Sequence, residues 1–387
     1  LKLQVRRRTC EAVTAWRRYN HVRGRRPVYD DPDADRLRAA FDPLLGNVRD
    51  DVAHAGYFSL DATRLPWTPT GLTVRTGQQV SWFAVGRLWR SRPRDLWIRP
   101  QLGLWCRLGE TGTVFNSTHD TNTFQAEADA ELYLATQFPG QFAEPNGRVQ
   151  PPLQVYDAAD GGFAVLVVIW RDRAEAALQT MARTGDPFGL LSMELARRTD
   201  PPGTPPGWHF LWFLGVSDIF SAAADDGCIR CRTQGNVGIL QKDIVLPLAS
   251  DTVLQWDWMV SALPSRLRED TSASHDYLSI AVEFENGRDI TYYWSWELPE
   301  QHGYWCPLPT WRDREFHVVV RSGTRQLGEW LSETRNLFED YTRYMGKPPG
   351  RILRVWLIAS SRWQRFEGDM TIRNVRLISS RGTVVVA

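Results

Sequence analysis

The chain has 387 residues, longer than the usual single domain, so two domains with connecting structure are expected. Its 46 basic and 45 acidic residues leave a net charge of +1, which excludes a global field for nucleic acid or membrane surfaces. Five cysteines, an odd number, exclude a fully paired secreted disulfide scaffold. No run of about 18 apolar residues is present to span a membrane. No apolar stretch follows the N-terminal basic residues as in a signal peptide. Cytoplasm is the expected location, with a leader before Leu1 left open.

In chain order, residues 1–56 read as a helical N-terminal segment. Arg6, Arg7, Arg8, Arg17, Arg18, Arg23, Arg25 and Arg26 surround a stripe of Val5, Val13, Trp16 and Tyr19. That pattern suits an amphipathic helix lying on the body better than a nucleic-acid arm. Asp31-Pro32 signals a second helix with Leu37, Ala40, Phe41 and Leu44 on its apolar side. Residues 57–169 alternate as short strands between turn residues, the pattern of an antiparallel sandwich. Residues 170–207 form a helical connector, broken at DPFG (186–189) and ending in the linker DPPGTPPG (200–207). Residues 208–387 return to strands, with one helical segment over about 330–345 built on Trp330, Leu337, Phe338 and Tyr341. The fold class is mainly β: two antiparallel, jelly-roll-like β-sandwiches, with short helices at the N-terminus, between the domains and near the C-terminus.

The second half holds SHDYLSIAVEFENGRDITYYWSW (274–296). Asn286-Gly287 predicts a two-residue type I′ hairpin that pairs Glu285 with Arg288. One face then collects Asp276, Leu278, Ile280, Val282 and Phe284 with Asp289, Thr291, Tyr293 and Ser295. The other collects His275, Tyr277, Ser279, Ala281 and Glu283 with Ile290, Tyr292, Trp294 and Trp296. The second face mixes large aromatics with polar groups that need partners, which suits a ligand groove. A helix lying over that face is the competing reading. In LQWDWMV, Trp256 and Trp258 point one way and Asp257 the other, so the pairing decides which joins the groove.

His275 is the candidate acid or base, assisted by Glu269, Asp270 or Glu283; a hydrogen-bonded strand-end histidine is the plainer reading. Cys228-x-x-Cys231 and His302-x-x-x-Cys306 have zinc-like spacing, but seventy-odd residues separate them, and reduced buried thiols are expected instead. Glu333, Glu339 and Asp340 with Arg335 and Arg343 read as a solvated helical face. The chain has no G-x-S-x-G, Walker loop, G-x-G-x-x-G after a strand or H-E-x-x-H, so neither cofactor nor metal is expected.

Two resemblances add to this. WTPTGLTVRTGQQVSWFAVGRLW (67–89), LWCRLGETGTVF (104–115) and LYLATQFPGQFAEPNG (132–147) resemble bacterial galactophilic lectin-like domains. That family's calcium loop falls here on Gln137, Gln141, Glu144 and Pro145, where only Glu144 is charged, so the resemblance implies the fold and not the ion. LQWDWMVSALPS (254–265), SHDYLSIAVEF (274–284), ITYYWSW (290–296), GEWLSETRNLFEDYTRYMG (328–346) and MTIRNVRLI (370–378) are similar to an uncharacterised bacterial jelly-roll family of unknown function. The expected function is binding of a carbohydrate- or glycoside-like small molecule by Tyr277, Tyr292, Trp294, Trp296, Trp256, Trp258 and Asp257. The alternative is a cofactor-independent lyase, cyclase, isomerase or hydrolase using His275. The oligomeric state is left open.

Overall fold

The computed structural model describes residues 11–14, 16, 29, 31–62, 67–138, 142–149, 159–201, 203–222 and 227–387. The Arg-rich helix expected over 1–27 falls almost wholly outside the described residues. The chain divides into two compact units: a first of 22–202 with 212–217, and a second of 203–211 with 218–387 and the few described residues before 22.

In the first unit, helix α1 (Ala34–Asn47) starts two residues later than Asp31-Pro32 suggests, because the Asp33 side chain accepts from Arg36 N at 2.8 Å and caps it. Its strands are β1 (Val52–Asp61), β2 (Thr68–Val74), β3 (Gln79–Ser91), β4 (Leu96–Ile98), β5 (Leu104–Leu108), β6 (Thr121–Gln125), β7 (Ala130–Thr136) and β8 (Asp160–Trp170), with a short helix α2 (Pro100–Gly103). They form one sheet ordered β1-β8-β3-β4, with β6 on β3, and a second ordered β2-β7-β5. Helices α3 (Ala174–Thr184) and α4 (Leu190–Thr199) follow. Between them Phe188 and Gly189 take φ of 57° and 73°, so the chain breaks where DPFG signals it. Leu37, Phe41, Leu44, Ala177, Leu178 and Met181 pack on Phe83, Leu166, Val168 and Trp170. A strand buried on both faces, as β8 is from Phe163 onward, thus reads as a continuous apolar run rather than an alternation.

The second unit is a sandwich, as expected. Its strands are β9 (His209–Phe210), β10 (Phe220–Ala222), β11 (Ile229–Gln234), β12 (Val237–Pro247), β13 (Val253–Ala262), β14 (Tyr277–Phe284) and β15 (Asp289–Ser295). They continue with β16 (Gly303–Trp305), β17 (Glu315–Ser322), β18 (Leu331–Asn336), β19 (Arg351–Ser360), β20 (Glu367–Ser379) and β21 (Gly382–Val385). One sheet runs β16-β17-β15-β14-β19-β12-β9 and the other β10-β11-β20-β13-β18, with β21 on β20. Pairing is antiparallel except for β15 on β17, which is parallel. The two sheets enclose a core rich in Leu254, Trp256, Trp258, Ile280, Tyr292, Trp294 and Leu357.

The hairpin differs from expectation by one residue. Glu283 pairs with Asp289 and Ile280 with Tyr292, leaving Glu285, Asn286 and Gly287 as a three-residue loop. Gly287 N donates to Phe284 O at 2.9 Å, and only Gly287 takes positive φ, 72°. A type I′ turn would need it at Asn286 as well. Tertiary contacts hold the longer loop. Glu285 N donates to Arg351 O at 3.1 Å, its carboxylate accepts from Gly350 N at 2.6 Å, and Asn286 Nδ2 donates to Tyr341 Oη at 2.7 Å. The slip turns all of β15 over. Tyr292 and Trp294 therefore enter the inter-sheet core, and Thr291, Tyr293 and Ser295 join Tyr277 and Ser279 on the other face.

The segment over 330–345 is also part strand. Leu331–Asn336 pairs with β13, and helix α5 (Leu337–Met345) begins only where the Asn336 side chain accepts from Glu339 N at 3.0 Å. Of its charges only Glu339 and Arg343 are exposed on the helix as a solvated face would have them. Glu333 accepts from Trp258 Nε1 at 3.1 Å and Arg321 Nε at 2.7 Å. Asp340 takes both Nε and Nη2 of Arg335 on the strand, at 2.8 and 2.7 Å, and the Tyr292 hydroxyl at 2.7 Å.

Asp257, on the opposite side of β13 from the two tryptophans, accepts from Ser332 Oγ and Asn374 Nδ2, each at 2.6 Å. Burial works to raise its carboxyl, but these donors and Arg373 outweigh it and hold it below the usual range. A carboxylate depressed in the folded state adds stability above its unfolded pKa and loses it as pH falls through the folded one. Asp257→Asn is expected to be less stable than the parent by about 1 kcal/mol at neutral pH. Urea midpoints should show that gap closing below about pH 4. A gap independent of pH would remove the charge from the account.

Candidate functional site

The turned-over hairpin assembles a polar cluster on the face of the seven-stranded sheet that points away from the core. β14 supplies Tyr277, β15 supplies Thr291, Tyr293 and Ser295, and the parallel neighbour β17 adds Glu315 and His317 in register with Asp289 and Thr291. β16 brings Tyr304 opposite His317, and Cys306 follows it. Segment 264–276, before β14, contributes Glu269 and His275. All of these except Tyr304, which is half-buried, are buried, His275 at 1% and His317 at 0% exposure.

His275 Nδ1 lies 2.6 Å from the Glu269 carbonyl, which only accepts, so that nitrogen carries the proton and Nε2 keeps its lone pair. Cys306 Sγ is 3.4 Å from that Nε2. His317 Nε2 stands 3.3 Å from Glu315 Oε2. Among the described residues, neither ring nitrogen of His317 has a hydrogen-bond partner of good geometry. The Tyr277 hydroxyl donates to Glu315 Oε1 at 2.9 Å, and the Tyr304 ring stacks on His317 at 5.1 Å. One ligand-type atom from each of His275, Cys306, Glu315 and His317 falls within 4.8 Å of the others.

Burial, with His317 alongside, lowers His275 to about 3, so it is neutral in ordinary conditions. Burial would raise Glu315, but the His317 ring beside it wins and holds the carboxyl below its usual range. Asp289 goes the other way, raised by burial and by the charge of Glu315. Glu269 is pushed up to about 8 by burial, even though Ser295 Oγ donates to it at 2.5 Å and Trp296 N at 2.7 Å. The cluster therefore sets the ionised carboxylate of Glu315 near the neutral imidazole of His275.

The other candidate residues separate. Tyr292, Trp294, Trp256 and Trp258 are core residues exposed by 1% or less. Trp296 is half-buried under the Arg266 guanidinium, whose carbon lies 4.5 Å from the ring centroid. Glu283 pairs with Arg354 at 2.9 Å, and Asp270 with Arg268 at 2.5 Å. Cys231 belongs to the inter-sheet core, so the Cys228, Cys231, His302 and Cys306 grouping does not form; Cys306 joins a different set. Glu315 and His317 were not among the expected site residues. Their signal is REFHVVV, where residues two apart share a strand face.

The first unit carries an open cleft of about 400 Å³ between the end of β5, the loop after it and β6. Phe115 and Phe124 meet there edge to face at 4.9 Å with Trp82 behind them, and Thr113, Gln125 and Glu127 provide polar groups. In the loop singled out by the lectin resemblance, Gln137 is buried and, among the described residues, neither of its amide atoms has a hydrogen-bond partner. Glu144 pairs with Arg148, Pro145 O accepts from Val114 N at 2.8 Å, and Gln141 lies outside the described residues.

Residues 207–375 match a family described as protein of unknown function (DUF3047). A comparison with curated proteins returns no match. Among solved structures, the chain is similar to the N-terminal domain of EclA, a PllA-like lectin, at 17% identity and a TM-score of 0.24, covering 31% of this chain and 98% of that one. It is also similar to the xyloglucanase domain of NopAA, a type three effector from Sinorhizobium fredii, at 9% identity and a TM-score of 0.29, covering 47% and 97%. Promiscuous carbohydrate-binding modules of the β-sandwich superfamily reach 8% identity and a TM-score of 0.23, covering 84% and 98%.

Proposed function

We propose that the chain binds a small polyhydroxylated ring compound, a sugar or glycoside, in the open cleft of the first unit. The observation that carries this reading is the pairing of Phe115 and Phe124 in a cleft of about 400 Å³. Sugar rings present apolar C–H faces and polar rims; half-exposed phenyl rings take the former, while Thr113, Gln125 and Glu127 can meet the hydroxyls. The size suits one or two rings. The lectin-like character of residues 67–147 supports the same ligand class. The aromatic residues of the second unit offer less, since four of them are already packed against protein.

Calorimetric titration with a panel of monosaccharides and glycosides tests this. Phe124→Ala is expected to lower affinity about tenfold, the loss of one stacking contact of roughly 1–1.5 kcal/mol, with the melting temperature little changed. If Phe124→Ala binds normally while Trp296→Ala does not, the site lies in the second unit instead.

A further inference from the structure

We infer that His275, Cys306, Glu315 and His317 form a closed, structural site for a zinc-type divalent cation, independent of the cleft in the first unit. The two close approaches, 3.4 Å from Cys306 Sγ to His275 Nε2 and 3.3 Å from His317 Nε2 to Glu315 Oε2, are the first argument. A tetrahedron with bonds of about 2.0–2.3 Å has edges of roughly 3.3–3.8 Å, so both pairs stand where two ligand pairs of one ion would stand. The set as a whole, within 4.8 Å, needs only a small contraction.

The surroundings are the second argument. His275 donates Nδ1–H to the Glu269 carbonyl, the outer contact that fixes a metal-binding imidazole with Nε2 facing inward. Tyr277 holds Glu315 through its other oxygen, leaving Oε2 turned toward His317. His317 is fully buried and, among the described residues, has no hydrogen-bond partner at either nitrogen, an unfavourable arrangement unless something occupies the space between these side chains. A histidine–glutamate contact beside a Cys306–His275 hydrogen bond would account for each pair singly, but not for the convergence of all four ligand atoms on one point.

The donor set selects the ion. Two imidazoles, one thiolate and one carboxylate suit a borderline cation such as zinc and disfavour calcium or magnesium, which take oxygen. Four protein ligands, all buried, complete a tetrahedron and leave no position for substrate, as in structural sites. The ion would tie the segments before β14 and after β16 to β17, and its binding releases the Cys306 thiol proton.

The test uses the full chain purified without an affinity metal. Elemental analysis is expected to find one zinc-type ion per chain, and exchange for cobalt should give the visible bands of a tetrahedral centre with a thiolate-to-cobalt charge-transfer band. Cys306→Ser should abolish that charge-transfer band and weaken cobalt affinity at least tenfold, while Cys231→Ser, a buried thiol elsewhere, should leave both unchanged. If Cys306→Ser fails to fold, chelation of the parent protein decides, since removal of the ion should lower its melting temperature and re-addition of zinc restore it. No bound ion with no cobalt spectrum overturns the inference, and so does a spectrum that Cys306→Ser leaves intact.

Discussion

Trp294→Ala is expected to destabilise the second unit by about 3–5 kcal/mol, lowering its melting temperature on the order of 10 °C. The side chain is 1% exposed, sits 5.8 Å from Trp258, and donates Nε1–H to Gly323 O at 2.8 Å. Alanine would leave a cavity the size of an indole in a two-sheet core that cannot close over it, and an acceptor without its donor. Trp330, in the same unit but 38% exposed and stacked under Arg373, is the control, and Trp330→Ala should cost under about 1 kcal/mol. Thermal and urea unfolding of the two variants distinguish a packing role from a binding one. A Trp294→Ala protein with unchanged stability would place this residue on an open groove after all.

Asp340→Ala is expected to cost about 3 kcal/mol, since it strands a positive charge. Asp340 receives two hydrogen bonds from Arg335 and one from the Tyr292 hydroxyl, and the Arg335 side chain is only 14% exposed. Gln301 remains as a partner for Nη1 at 3.1 Å but carries no charge. Removing both charges in Arg335→Met/Asp340→Ala should therefore be milder than Asp340→Ala alone, and a double-mutant cycle measures the difference. Equal costs for the single and double variants would mean that the pair contributes through packing rather than charge.

The helix break at Pro187–Gly189 and the alternation of β13 were legible because each rests on local chemistry, proline and glycine dihedrals in one case and the period of a strand in the other. The hairpin shows the limit. Asn286-Gly287 is a sound local signal for a two-residue loop, but Glu285 is drawn to Gly350 and Arg351, and Asn286 to Tyr341. Partners some 55 to 66 residues away thus outweigh an intrinsic turn preference worth little more than a single hydrogen bond. Leu331–Asn336 departs from its expected helix for the same reason, as pairing with β13 overrides a helical spacing of apolar residues.

From the sequence by itself, then, come the β class, the sandwich of the second half, the position of the break between helices, and His275 as a polar residue in unusual company. Only the tertiary structure decided which residues share that company. Ligand-type atoms converge from His275, Cys306, Glu315 and His317, which span more than one strand. Their meeting depends on strand register and on a parallel β15–β17 pairing that no short window of sequence encodes. Because a one-residue change in register exchanges the two faces of a strand, the same residues that read as an aromatic groove become core, and the polar set behind them becomes the site.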